Sequence, residues 1–273
     1  MTRTRAFQRF ALVGLLATLT ACATSPTGRH QLMLVSEDSA IVASREAYLA
    51  EVGKLEQAGK ISTDQALTQR VQRITNRLIA QAKIMRPATD QWEWSVVVID
   101  DPDTVNAWCM AGGRMAIYTG LIVKIHPTDD ELAQIMGHEI AHALSNHTAE
   151  QMSIALATQL GIMAAGIASE RPAVAMTGTA MAAALAVQLP NSRTAESEAD
   201  RIGIELAAKA GFNPKAAVTL WEKMNQLNDK RPPQFLSTHP DPANRMKELA
   251  ALEAEMMPYY RQAIEKQHET RAR

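Results

Sequence analysis

Cysteine and aromatic side chains are scarce in this chain, and neither sign of charge is in marked excess. Cys22 and Cys109 are its only cysteines. If Cys22 is modified as argued below, Cys109 is the one thiol left and no internal disulfide can form. Aromatics make up 4% of the 273 residues while Ala and Met are plentiful, a composition that favours helix over sheet. Lys and Arg number 28 against 29 Asp and Glu. No basic field exists to hold nucleic acid, and that class of partner is excluded. Long apolar runs are also missing: 153–189 is rich in Ala, Met and Leu, but Ser169-Glu170-Arg171-Pro172 breaks it into halves too short to span a bilayer comfortably. It reads as a pair of buried or covering helices, or as an apolar hairpin that touches a membrane or covers a cleft. What is present, 47% hydrophobic and 21% charged residues, suffices for one large globular domain.

The first 21 residues read as a targeting segment. Arg3, Arg5 and Arg9 form a positive start with no acid, and Ala11–Leu19 is a short apolar run. Without those three arginines the balance of the remainder is about −4. The run ends in Leu19-Thr20-Ala21-Cys22, which resembles a bacterial lipobox, with Cys22 as the residue that carries the lipid; an ordinary cleaved signal is the alternative. Ala23, rather than Asp, follows the cysteine, which by the same resemblance favours the outer membrane.

Beyond a tether over 23–36, residues 37–58 permit a helix that Gly59 ends. Ser62-Thr63-Asp64-Gln65 resembles a capping box, and Leu67, Val71, Ile74 and Leu78 recur at helical steps to about Lys83. Trp92–Ile99 and Arg114–Thr119 read as strands, with turns at Asp100–Asp103 and Gly112-Gly113. Thr128-Asp129-Asp130-Glu131 is a second capping box, opening a helix expected to run to about Glu150. Further helices are expected over Asn191–Ala210, from Asn213-Pro214 to about Leu227, and from Asp241-Pro242, with a loop at 228–233 and a fraying charged tail after Tyr260.

The capped helix at 128 carries the most informative residues, His138-Glu139-Ile140-Ala141-His142. Residues four apart share a helix face, so His138 and His142 can present two imidazoles to one metal ion, with Glu139 one step round and able to act on a water there. The pattern points to zinc-assisted hydrolysis of a peptide bond. A catalytic zinc takes three protein ligands and keeps one open position. His147 lies about half a turn out of phase with His138 on a straight helix, and reads as a surface or helix-end histidine. His30, His126 and His268 have no ligand-like partner. The helix at 191–210 offers Glu196 and Asp200, four apart, giving one carboxylate for the metal and one to accept the free ring N–H of a ligating histidine. Glu198 points elsewhere. Cys109 reads as a small buried hydrophobe, with a catalytic thiol as the weaker alternative.

H-E-I-A-H followed some fifty residues on by E-S-E-A-D-R-I-G resembles the M48 zinc metallopeptidases, and so do Asn106–Gly113 (with Ala111 where a Pro is usual), Met115–Leu121, Gly211–Pro214 and Ser237–Arg245. The resemblance covers roughly 65–255 and is nearest to the small periplasmic lipoprotein members. It implies an α+β, mostly helical fold: a gluzincin-like zinc metalloprotease domain with a small β-sheet beside the H-E-x-x-H helix. It implies His138, His142 and Glu196 as ligands of one Zn²⁺ per chain, Glu139 as general base and Asp200 as the carboxylate behind a ligand. It also sets His239 and Arg245 near the metal, His239 either stabilising the scissile carbonyl oxygen or sitting on the metal before substrate arrives. The strand from Arg114, with Gly113, Met115 and Ile117, is then the expected platform to whose edge a substrate peptide adds.

The domain expectation is a lipoprotein signal peptide over 1–21, an N-terminal tether and helix over 22–60, a metallopeptidase domain over 61–260 and a charged tail over 261–273. The functional expectation is an endopeptidase acting on unfolded or misassembled envelope proteins. It would be held by its N-terminal lipid on the periplasmic side of a bacterial membrane. A chaperone-like lipoprotein with latent or self-inhibited protease activity is the alternative.

Overall fold

A computed structural model describes residues 22–168, 191–227, 234–239 and 245–271. The signal segment, the larger part of the apolar stretch 153–189, the loop at 228–233 and the helix start at Asp241 lie outside these residues. The order is β1 (Cys22–Thr24), β2 (His30–Leu32), α1 (Glu37–Gln57), α2 (Gln65–Met85), a 3₁₀ turn (Pro87–Gln91), β3 (Ser95–Ile99), β4 (Ala107–Cys109), β5 (Arg114–Tyr118), α3 (Thr119–Ile125), α4 (Asp129–Leu144), α5 (His147–Ala168), α6 (Arg193–Lys209), α7 (Ala216–Gln226), α8 (Gln234–Thr238) and α9 (Arg245–Arg271). The fold is mostly helical with small sheets. Among the described residues no helix is long and apolar enough to cross a membrane.

The chain divides into two units. The smaller holds the segment up to Ala40 and the chain from Thr148. Part of the expected tether is ordered there, with β1 and β2 pairing antiparallel. Arg29 just before β2 grips Glu150 of α5 through both guanidinium nitrogens, at 2.7 and 2.6 Å. Gln31 donates to the same carboxylate at 2.9 Å.

The larger unit takes Ile41–His147 and Leu189–Arg273. Its sheet has the order β3-β5-β4, with β5 parallel to β3 and antiparallel to β4. The α2 cap sits two residues later than expected: Asp64 accepts from the Leu67 N–H at 3.0 Å, so the helix starts at Gln65. Its buried positions Val71, Ile74, Leu78 and Ala82 follow the helical period and face the core.

The capping box of α4 forms as expected: Thr128 Oγ1 accepts from the Glu131 N–H, and Glu131 Oε2 accepts from the Thr128 N–H. Every residue from Glu131 to Leu144 is buried, so α4 is the axis of the core. It ends at Leu144, not near Glu150. Asn146 takes a left-handed conformation at φ 55°, which asparagine tolerates better than most residues, and a new helix starts at His147. The tail beyond Tyr260 is helical to Arg271.

The packing that positions the site is the crossing of α4 and α6 at Gly137 and Gly203. A Cβ on Gly137 would lie 2.8 Å from the Gly203 carbonyl oxygen, and one on Gly203 would lie 2.7 Å from the His138 backbone nitrogen. Both obstacles are backbone and cannot rotate away. Gly203→Ala is therefore expected to destabilise the fold by about 1–3 kcal/mol, the range for overpacking, read as a lower midpoint in chemical denaturation. An unchanged midpoint would mean that the two helices have room to spare.

Candidate metal centre

His138 and His142 leave α4 on one face, and Glu196 leaves α6 opposite them. The third imidazole is that of His239, just after α8. Four donor atoms from His138, His142, Glu196 and His239 lie within 4.8 Å of one another, and all four residues are buried. His138 Nε2 is 3.0 Å from His142 Nε2 and 3.3 Å from His239 Nδ1. Glu196 approaches His138 and His142 at 3.3 Å and His239 at 3.1 Å. A tetrahedron of ligands about 2.0–2.1 Å from a zinc ion has edges of about 3.3 Å. The donor set therefore fits one zinc ion in both chemistry and spacing.

Further residues hold the donors in place. Asp200, one turn beyond Glu196, meets His138 Nδ1 at 2.9 Å, which turns Nε2 towards the cluster. Arg245, at the start of α9, donates to Asp200 at 2.6 Å and to Glu196 at 3.4 Å. Its guanidinium lies 3.7 Å from the Trp221 ring centroid and is almost wholly buried. His239 stacks on Phe235 with centroids 4.6 Å apart.

The electrostatics suit a cation. Among the described residues, Glu139, Glu196 and Asp200 are buried, and the Arg245 guanidinium lies against Glu196 and Asp200. Burial opposes charge on His138, but hydrogen bonds to Asp200 and Glu196 outweigh it and raise this group to about 10. Without metal, His138 thus takes a proton in the cation's place. Burial holds His142 well below its usual value and hence neutral. Burial also raises the Glu139 carboxyl, with His239 and His138 pulling only partly the other way. Glu139 accepts a hydrogen bond from the Cys109 backbone N–H. Its Oε1 makes no hydrogen bond, although His239 Nε2 is 3.4 Å away. A buried carboxylate oxygen beside the donor cluster is thus left for a water or substrate group.

The structure brings together His138, Glu139, His142, Glu196, Asp200, His239 and Arg245, and corrects two expectations. His147 is not a surface histidine: the break at Asn146 turns it back, so that it is 2% exposed and its Nδ1 lies 2.7 Å from His142 Nδ1. Glu198 does point away from the donors, but into the interior, where it meets His147 Nε2 at 3.1 Å. The Ser145-Asn146 pair is the available signal, since asparagine often ends a helix in this way.

The second correction concerns the substrate platform. β5 is the middle strand, so both its edges are paired; Met115 and Ile117 are buried, and Gly113 donates its N–H to Met110 and accepts from the Ser95 N–H. The outer strands are β3, whose far side is bridged by Ile61 and Ser62, and β4, which lies within the stretch Asn106–Gly113. The thiol of Cys109 is buried and pushed well above its usual value, first by burial and then by Glu139, so it supplies no nucleophile. His30, His126 and His268 are exposed and outside the cluster.

The model of peptidase family M48 matches residues 65–253. The mitochondrial metalloendopeptidase OMA1 of Bos taurus is 31% identical over 238 residues, covering 83% of this chain and 45% of its own length. Its Arabidopsis thaliana namesake is 36% identical over 157 residues, 58% of this chain and 31% of its own. The beta-barrel assembly-enhancing protease of Escherichia coli (strain K12) is 28% identical over 232 residues, 81% of this chain and 46% of its own. The chain thus spans less than half the length of each of these three curated relatives.

Arg245→Ala leaves two buried carboxylates without their guanidinium. Loss of one partner of a buried pair costs about 3–5 kcal/mol, and the metal-free variant is expected to lose stability on that scale in denaturant titrations. Added zinc should raise the melting temperature of the wild-type chain at one ion per chain. A stoichiometry of zero would remove the site.

Proposed function

The chain belongs to peptidase family M48, and from that premise we propose that it is a zinc-dependent endopeptidase of a bacterial cell envelope that cuts misfolded or misassembled envelope proteins. The observation that carries the reading is Glu139: a buried carboxylate with one oxygen lacking a hydrogen bond, set against a donor cluster that fits zinc. A zinc ion in that cluster acidifies water and polarises a carbonyl oxygen. Glu139 is the base that takes the proton from the attacking water and returns it to the leaving amine. The Cys109 N–H holds this carboxylate in place. Arg245 and Asp200 keep His138 oriented.

Substrate docking belongs to β4. Met110 and Tyr118 donate to Arg114 and Asn106 across the β4–β5 ladder. By alternation, Ala107 and Cys109 turn their backbone groups outward; their N–H groups already meet Asn106 Oδ1 and Glu139, so an added peptide would pair with the carbonyls. An extended peptide added to that edge runs beside Glu139, and backbone pairing of this kind tolerates varied side chains, as clearance of unfolded proteins requires. The relatives' names, which include a beta-barrel assembly-enhancing protease, support this substrate class. The lipobox-like Leu19–Cys22 supports a lipid anchor at Cys22 and a periplasmic, outer-membrane address.

One observation favours a second reading, a chaperone-like lipoprotein with latent or self-inhibited protease activity. His239 supplies a fourth donor, and a four-ligand zinc has no open position for water. On this reading His239→Ala raises basal cleavage severalfold. A loss of cleavage instead assigns His239 to stabilising the charge that develops on the scissile carbonyl oxygen.

The primary test compares hydrolysis of an unfolded protein by the zinc-loaded wild type and Glu139→Gln. The expected loss is on the order of a hundredfold or more, as for removal of a general base, with zinc content unchanged. Equal turnover would sink the mechanism.

A further inference from the structure

Both ligating histidines of α4 need their far nitrogen held, and the structure solves this differently for each. His138 meets the carboxylate of Asp200 directly. Among the described residues, no carboxylate meets His142 at its Nδ1. That atom faces His147 Nδ1 at 2.7 Å, with the two rings 66° apart, and His147 Nε2 faces Glu198 Oε2 at 3.1 Å. All three residues are buried.

We infer that His147 and Glu198 are positioning residues for the metal ligand His142, forming a relay that fixes its tautomer. The inference rests on the reading of His142 as a zinc ligand. Proton positions follow from the donor and acceptor inventory. Ionised Glu198 can only accept, so His147 carries its proton on Nε2. Neutral His147 then has a bare Nδ1, which accepts. Two nitrogens 2.7 Å apart share one proton, so His142 must carry it on Nδ1. That leaves His142 Nε2 bare and aimed at the cluster, where it lies 3.0 Å from His138 Nε2. The reverse arrangement would point an N–H at the ion.

The relay depends on two local features. The left-handed Asn146 swings His147 back over the last turn of α4. On α6, Glu198 is two residues from both Glu196 and Asp200, so it leaves the opposite side of the helix and reaches His147 while they face the donors. One buried helix thus supplies a ligand and the carboxylates behind both histidines.

The test uses the full chain and reads zinc affinity by chelator competition, the absorption of the cobalt(II)-substituted protein, and unfolding of the metal-free form. His147→Ala is expected to weaken zinc about ten- to a hundredfold, the usual effect of removing a group behind a ligand, and to alter the cobalt spectrum. Glu198→Ala should weaken zinc in the same direction. Glu198→Gln, whose amide oxygen still accepts from Nε2–H, should restore affinity to within about threefold of wild type. Because Glu198 acts through His147, the double alanine variant should be no worse than His147→Ala alone. Wild-type affinity and an unchanged cobalt spectrum in His147→Ala would overturn the inference, as would additive losses in the double variant. If metal-free His147→Ala does not fold, the Ala and Gln variants of Glu198 decide the matter with His147 intact: equal affinities overturn the relay, and rescue by Gln supports it. A wild-type chain that binds no zinc overturns the metal site itself.

Discussion

The centre exists because two helix backbones touch. Gly137 and Gly203 bring α4 and α6 closer than any side chain between them would allow, since an added Cβ on either would stand under 3 Å from backbone of the other. Gly137 is the residue before His138, so the contact fixes the height and rotation of the H-E-x-x-H turn relative to α6. Glu196 and Asp200 have short side chains and cannot make up for a wider gap. Arg245 can follow them, because its long side chain reaches in from another helix and lies on Trp221.

That closeness has an electrostatic consequence. Among the described residues, Glu139, Glu196 and Asp200 are buried, with the Arg245 guanidinium beside Glu196 and Asp200. Burial alone would drive protons onto the carboxyls. The imidazoles around Glu196 outweigh its burial and hold it below the ordinary range, while Asp200 and Glu196 raise His138 to about 10. A divalent cation and a protonated His138 are therefore alternative ways of balancing the same charge. Metal binding and protonation of His138 compete, and a bound metal would add to the stability of the surrounding core.

The ligands are legible in the sequence because helical periodicity is local. His138 with His142, and Glu196 with Asp200, are four apart on helices whose caps and apolar faces can be read directly. His147 is illegible for a related reason. Its phase is reckoned along a straight helix, and one left-handed residue at Asn146 voids that reckoning. Glu198 shows a different limit. Its direction, away from the other two carboxylates, follows from spacing, but not what lies there, since α6 is buried on the sides of both Glu196 and Glu198. Strand order is not written in local pattern either. β5 has the better strand signature, yet it lies in the middle, and the three-residue β4 is one of the two outer strands.

His239 stands where coordination and access meet. His239 makes a fourth donor beside His138, His142 and Glu196; a bound zinc ion would then be fully ligated, and the proposed hydrolysis would need one donor to leave. The histidines of α4 are locked behind Asp200 and His147, and Glu196 is locked behind Arg245. His239 is held more lightly, by its stack on Phe235 and by its place after a five-residue helix. The Phe235 N–H in turn bonds the Val105 carbonyl at 3.1 Å, two residues before β4. His239 is thus tied to the chain that leads into the β4 edge, and that edge meets Glu139 through the Cys109 N–H. On the proposed function, release of a donor, alignment of the base and docking of a peptide would all fall to one short stretch of chain, Val105 to Cys109.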